Sequence, residues 1–438
     1  MPDGDGGDLQ QYQSMRNKQL LTGLFALMAL AATAQMPKTF ITPKSAAAAG
    51  FDAKRLARID SLIPVAIKAG LLPNAVTFIA HNGQIVHHKA YGYRNIEEQI
   101  PLQKDDIFRM ASQTKAITSV ALMTLFEEGK FLLDDPIERY IPEFAHPQVL
   151  ETFNEADTTY TSRDAKRSIT IRHLLTHTSG IHYGILGGGQ GSMMYAKEHI
   201  PAVNSLENIT CEEVVKRIAK MPLMFDPGDK YQYGMNTDVI GYLIEVLSGK
   251  KLDVFITERV LRPLGMNDTY FYLPQSEANR LVTLYSSTPK GMVVNSNPSY
   301  QTYPVNGAKT FLSGGAGLCG PIEDYARFCQ MMLNHGTFNG AKILSRKTVD
   351  MMTTNHIGTL AINGKGNKFG LGFEIINHPG ATGTPVSQDA YRWGGMYYTD
   401  YVIDPAENLI LLFYTNVQPY RGPGIHETFR NLVYQALE

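Results

Sequence analysis

Leu56, Ile59, Leu62, Ile63, Ala66 and Ile67 recur at helical spacing across residues 52–69, which predicts an amphipathic helix. Ala75 to Tyr91 then reads as two strands joined by Asn82-Gly83, the strongest short hairpin signal. From about 105 to 330 the spacing is helical, over 112–128, 169–177, 211–220, 236–248, 252–261 and 322–334, with Pro and Gly breaks between. Strands return at Gly370 to Ile376, Tyr391 to Ile403 and Leu409 to Val417, and an amphipathic helix follows over 425–437. Strand-rich ends around a helical middle predict an α+β fold, an antiparallel sheet built from both chain ends and flanked by helices. A mainly helical subdomain, about 105–330, is inserted in an α/β part made of 50–104 and 331–438. Residues 184–193, rich in glycine, predict a flexible loop able to border a site.

Within this pattern one segment carries chemistry. Ser112 and Lys115, in Phe108-Arg-Met-Ala-Ser-Gln-Thr-Lys115, stand one turn apart at the head of the 112–128 helix, with Cβ atoms roughly 5–6 Å apart. Ala116, Ile117, Val120, Ala121, Leu122, Leu125 and Phe126 make that helix apolar nearly all round, and Gly129 stops it, so it should be buried. A lysine at the mouth of such a helix is partly desolvated, which favours its neutral, proton-accepting form. Ser248-Gly-Lys-Lys251 and Ser287-Thr-Pro-Lys290 show the same spacing. One lies at a helix end, and the other spans a proline that cannot continue a helix. Only Ser112 opens a long apolar helix.

The 438 residues suffice for two structural units or one large core with an insertion. A net charge of −1 and the lack of a basic run argue against nucleic acid as a partner. Cys211, Cys319 and Cys329 have no paired spacing, so buried free thiols are expected rather than disulfides or a zinc site. Met15-Arg-Asn-Lys18, the apolar run Leu20 to Ala32 and Ala32-Thr-Ala34 form the charged, apolar and small-residue parts of a secretory signal. The apolar run is shorter than the ~20 residues of a membrane span. Residues 1–34 are therefore read as an N-terminal extension plus a signal over 15–34, and 35–438 as one domain that is periplasmic or secreted and not inserted in a membrane.

A serine with a lysine base also needs a proton shuttle and an oxyanion hole. Tyr233 ends the loop after Pro227-Gly228 and immediately precedes the helix from Asn236, a good place to hold a side chain over a cleft. Tyr231 is the neighbour it could be confused with. Trp393-Gly394-Gly395 puts two glycines in a strand, which marks close approach of a ligand or backbone. The N–H groups of Ser112 and Met396 are then candidates to converge on one oxygen, with Trp393 lining the substrate or anchoring the core. His173 and His177 have the spacing of a zinc helix but lack its glutamate, and the glycines at 187–191 are not set between strand and helix. No metal or cofactor is expected.

Taken together, these blocks resemble the serine β-lactamase/penicillin-binding superfamily, in the branch of class C-like esterases and D-amino-acid-releasing peptidases. Residues 50–438 carry the likeness through Phe108–Lys115, Leu125–Pro136, Ile169–Gly180, Asp226–Gly228 to Gly241, Ser313–Leu318 with Asp324–Phe328, and Trp393–Gly395. The resemblance implies a β-lactamase/transpeptidase-like fold. It makes Ser112 the acylated nucleophile, Lys115 its activating partner and Tyr233 the general base or acid. Trp393, Gly394 and Gly395 stand where Lys-Thr-Gly or His-x-Gly is usual. Gly234 replaces a common serine, Met235 holds the place of a usual asparagine, and Asn236 follows one residue late as a substrate-binding candidate. Arg109 and Arg392 are candidates to replace the missing cation. The expected activity is a serine hydrolase acting on small esters. A β-lactamase or D-Ala-D-Ala carboxypeptidase or D-aminopeptidase is the alternative, and a non-catalytic sensor of β-lactams or peptidoglycan the third reading.

Overall fold

The computed structural model describes residues 39–438 apart from 202, 203, 363 and 365, so the signal expected at 15–34 lies outside the described residues. Eight antiparallel strands form the main sheet: β1 Asn74–His81, β2 Gln84–Asn95, β3 Ile100–Pro101, β4 Lys368–Phe369, β5 Glu374–Ile375, β6 Tyr391–Gly395, β7 Thr399–Asp404 and β8 Leu409–Tyr414. Their order is β4-β5-β6-β7-β8-β1-β2-β3. The two sets meet where Val76 pairs with Tyr414 and Ala80 with Ile410. The β1–β2 hairpin turns at Asn82 and Gly83, both at positive φ, as an Asn-Gly turn requires.

Both faces of the sheet are covered. Side chains alternate across a strand, so Leu409, Leu411 and Phe413 join Ile59, Ile63, Phe429 and Val433 in one core under the Ile59–Lys68 and Ile425–Tyr434 helices. On the other face Tyr401 and Tyr414 meet Tyr325 of the Ile322–Leu333 helix, at ring-centroid distances of 5.1 and 6.5 Å. That double cover explains why every residue of β8 is buried and why its sequence is an unbroken apolar run.

The expected helix after Ser112 begins as a single 3-10 turn, Ala111–Gln113, and continues as an α-helix over Thr114–Glu127. Thr114 to Leu125 are all buried. Three expectations change. The run Tyr391 to Ile403 is not one strand: the chain reverses through Met396, Tyr397 and Tyr398, with Tyr398 at φ +66° and its N–H on Gly395 O, to form the β6–β7 hairpin. Residues 184–193 are not a featureless loop: Gly184–Leu186 is a 3-10 turn and Gly189–Lys197 a helix. The run Gly370 to Ile376 shortens to β5, with β4 just ahead of it. Among the described residues no helix is long and apolar enough to cross a membrane.

Candidate active site

The segment that carries Ser112 is tied down on every side. Phe108 and Arg109 pair with Gly320 and Cys319, and Arg109 exchanges backbone-to-side-chain hydrogen bonds with Asn416 at the end of the β8 run. The Arg109 guanidinium is buried and donates to the carbonyls of Tyr303 (2.7 Å), Val282 (2.8 Å) and Gln301. Burial pushes it down to about 10, so it remains a cation at neutral pH. Ala111, immediately before Ser112, sits at φ +46°, a left-handed conformation that costs an L-residue roughly 1–2 kcal/mol. Behind it, Tyr325 and Tyr414 donate to the Gln113 carbonyl and side-chain oxygens at 2.9 and 2.5 Å.

Lys115 Nζ lies 3.3 Å from Ser112 Oγ, 3.3 Å from Tyr183 OH and 2.7 Å from the Gly315 carbonyl. Its side chain is buried, and the amine sits 4.6 Å from the Tyr233 ring centroid and 5.2 Å from that of Tyr183, where the ring quadrupoles favour a cation. The Tyr233 and Tyr183 rings stack at 4.9 Å and 13°. Tyr233 OH accepts from Trp393 Nε1 at 3.2 Å. Burial holds the Tyr233 phenol well above its usual range, although its hydrogen bonds to Ser112, Trp393 and Tyr183 pull the other way. At rest it is therefore a neutral phenol, suited to relaying a proton rather than storing one. Tyr231, its rival, points elsewhere, packing on Phe369 and His177.

Of the two glycines, Gly395 is the one the packing requires. A Cβ there would lie 2.2 Å from Met110 O and 2.4 Å from Thr399 Oγ1, so only glycine lets β6 press against the turn of Ser112. Met396 follows and packs on Ala111, Ala316 and Tyr397. The segments that carry the Ser112 and Met396 N–H groups are thus in contact.

A family model described as Beta-lactamase matches residues 59–435. The chain belongs to the β-lactamase family. Esterase EstB of Burkholderia gladioli is 31% identical over 383 residues, 84% of this chain and 91% of the relative. A putative D-alanyl-D-alanine carboxypeptidase of Escherichia coli K12 is 28% identical over 446 residues, 94% and 95% of the two chains. Among solved structures, that of EstCE1, titled a hydrolase with promiscuous acyltransferase activity, superposes with a TM-score of 0.74 at 26% identity, covering 87% of this chain and 99% of the other. The chain is a serine hydrolase of the β-lactamase fold.

Other candidates in this β-lactamase-family site occupy different places. Asn236 is fully buried, its amide taken up by Ser179 Oγ and by His177 Nδ1 at 3.0 Å, so it braces the wall behind Tyr233 rather than facing a substrate. His177 Nδ1 also accepts from Gly234 N at 3.3 Å, and burial with the nearby Lys115 charge drives that imidazole well below its usual value. His173 Nδ1 instead caps its own helix by accepting from Thr170 N at 3.1 Å. Arg392 bonds Glu374 at 2.6 Å and Asp400 at 2.7 Å. Sequence reasoning missed Tyr183, although it follows the Ile169–Gly180 block by only three residues. It also missed why glycines 187 and 191 flank His182: a Cβ on either would fall 2.4 Å from that ring.

Proposed function

We propose that the chain is a secreted or periplasmic esterase that forms an acyl-enzyme on Ser112 and prefers uncharged acyl groups. One observation carries the preference: both arginines able to offer a substrate carboxylate a cation are engaged. Arg109 holds three backbone carbonyls and Arg392 two carboxylates. Losing a charge-assisted bond to a carboxylate costs on the order of 1.5–3 kcal/mol, roughly ten- to a hundred-fold in binding. A neutral ester loses nothing. The esterase among the similar proteins supports the same reading.

In this mechanism Ser112 Oγ attacks the ester carbonyl while its proton passes to Lys115, directly or through Tyr233. The carbonyl oxygen becomes an oxyanion held by the N–H groups of Ser112 and Met396. Collapse expels the alcohol, which takes the proton back from the Lys115–Tyr233 pair. Water then attacks the acyl-enzyme, gives its proton to the same pair, and the acid leaves as Ser112 recovers its hydrogen.

The test is a comparison of kcat/KM for a short-chain p-nitrophenyl ester and a chromogenic cephalosporin, with Ser112→Ala as control. The ester should be the better substrate by at least tenfold, and a phosphonate should label Ser112 alone. A better cephalosporin would make the protein a β-lactamase, and an adduct on Ser248 or Ser287 would remove Ser112 from the mechanism. N-terminal sequencing of exported protein should begin near Gln35; retention of Met15–Lys18 in that protein would exclude the signal.

A further inference from the structure

Asp238 stands two residues into the Asn236–Ser248 helix and is 2% exposed. Oδ1 accepts from Ser313 Oγ at 2.5 Å and from Gly315 N at 3.2 Å, whereas Oδ2 is buried with no hydrogen-bond partner. Gly315 is also the residue whose carbonyl receives Lys115 Nζ at 2.7 Å. Carboxylate and amine therefore grip the two ends of a single glycine. No side chain fits between them, because a Cβ on Gly315 would lie 2.6 Å from Asp238 Oδ2.

Burial pushes the Asp238 carboxyl above the usual carboxylate range, while the Lys115 charge and the Ser313 and Gly315 bonds pull the other way; a buried carboxylate with an unpartnered oxygen is costly unless such a charge compensates it. Among the described residues four titratable groups face Asp238: Lys115 of the helix that follows Ser112, Tyr183, Tyr233 and Cys211. Only Lys115 can become positive. Lys115 touches no carboxylate itself, since its three partners are a hydroxyl, a phenol and a carbonyl. When it takes the Ser112 proton, the new ammonium has a single carboxylate near enough to balance it across Gly315.

We propose that Asp238 is a positioning residue for the hydrolysis, whose buried negative charge stabilises the protonated form of Lys115 while its hydrogen bonds fix the Gly315 carbonyl that aims the amine. This rests on the reading of Ser112 and Lys115 as nucleophile and base. Asp238→Asn keeps an oxygen for Ser313 and Gly315 but removes the charge.

The experiment is the pH profile of kcat/KM on a p-nitrophenyl ester for wild type, Asp238→Asn and Thr118→Val. Thr118 Oγ1 donates to the Gly314 carbonyl at 2.8 Å, so its loss loosens the same loop without touching the charge. Asp238→Asn should lower the plateau roughly tenfold and move the acid limb to lower pH, whereas Thr118→Val should slow the enzyme with the limb unmoved. Should Asp238→Asn fail to fold, Asp238→Ser, smaller and equally neutral, gives the same readout. A neutral variant whose acid limb stays in place, at any plateau, overturns the proposal. Failure of the nucleophile reading is distinct, because Ser112→Ala would then stay active.

Discussion

Replacing Trp393 by Phe isolates one hydrogen bond. Phenylalanine preserves an aromatic ring against Phe369, now met edge-on at 5.4 Å, and against Tyr233 at 5.2 Å, but deletes the N–H that reaches Tyr233 OH at 3.2 Å. In the resting enzyme that bond joins two neutral groups and contributes about 1 kcal/mol. In the proposed mechanism Tyr233 passes a proton on, so its oxygen would gain negative charge and the bond would become charge-assisted, worth about 1.5–3 kcal/mol. A distance of 3.2 Å exceeds the ~2.7–2.9 Å of strong charge-assisted bonds, so the lower end applies. Only the difference from the resting bond, about 0.5 kcal/mol, acts on kcat, roughly a two- to threefold fall, with KM nearly unchanged because that gain arises only in the transition state. Initial rates on a p-nitrophenyl ester measure it. The decisive step is a double-mutant cycle: in a Tyr233→Phe background, itself slowed roughly 10²–10⁴-fold, Trp393→Phe should cost nothing further. If it costs the same factor in both backgrounds, the indole acts by packing or substrate contact, and the proton-relay role given to it is wrong.

Tyr183→Phe and Tyr231→Phe separate the three tyrosines: the first should slow turnover by removing an oxygen 3.3 Å from Lys115, the second should leave it within about twofold, and the reverse order would mean the wrong tyrosine was assigned. Gly395→Ala should abolish ester hydrolysis, since its Cβ would strike Met110 O at 2.2 Å; an active, folded variant would count against the contact that brings Met396 to Ser112. Arg109→Met strands three carbonyl acceptors and should cost roughly 3 kcal/mol or more, read as a lower urea midpoint; an unchanged midpoint would refute it. His87, His177 and His426 are buried, and burial holds His87 and His426 down at about 4 and His177 well below 6.5. As pH falls below about 6.5 the unfolded chain binds protons that these folded imidazoles refuse. Stability is therefore lost with falling pH, at up to ~1.4 kcal/mol per pH unit for each histidine, and pH-dependent urea melts flat from 7 to 5 would contradict this.

Much of this molecule can be read from periodicity, because its sheet and helices bury regular faces. The 112–128 helix is uniform in its apolarity, and it is buried from Thr114 to Leu125. The β6–β7 hairpin escaped notice because its turn, Met396-Tyr397-Tyr398, holds no Gly, Pro, Asn or Asp. The reversal is stabilised from outside, by Tyr398 stacked between Tyr420 and His426 at 3.9 Å from each. The hairpins Gln148–Phe153 with Tyr160–Asp164 and Tyr285–Thr288 with Gly291–Val294 went unseen too, since polar, half-exposed strands carry little alternation. Tyr183 was illegible for another reason: what brings it to Lys115 is packing against Tyr233, a contact 50 residues away along the chain with no local signature.

The left-handed Ala111 sets heat resistance against turnover at one backbone torsion. Gly at that position would accept φ +46° more readily than alanine does. A screen rewarding survival at high temperature alone would be expected to recover such replacements, and the survivors would hold the neighbouring serine less firmly. Selection for rate would restore the alanine. Any directed evolution of this enzyme towards hardiness therefore needs an activity filter in the same round, or it will climb by relaxing the turn on which Ser112 stands.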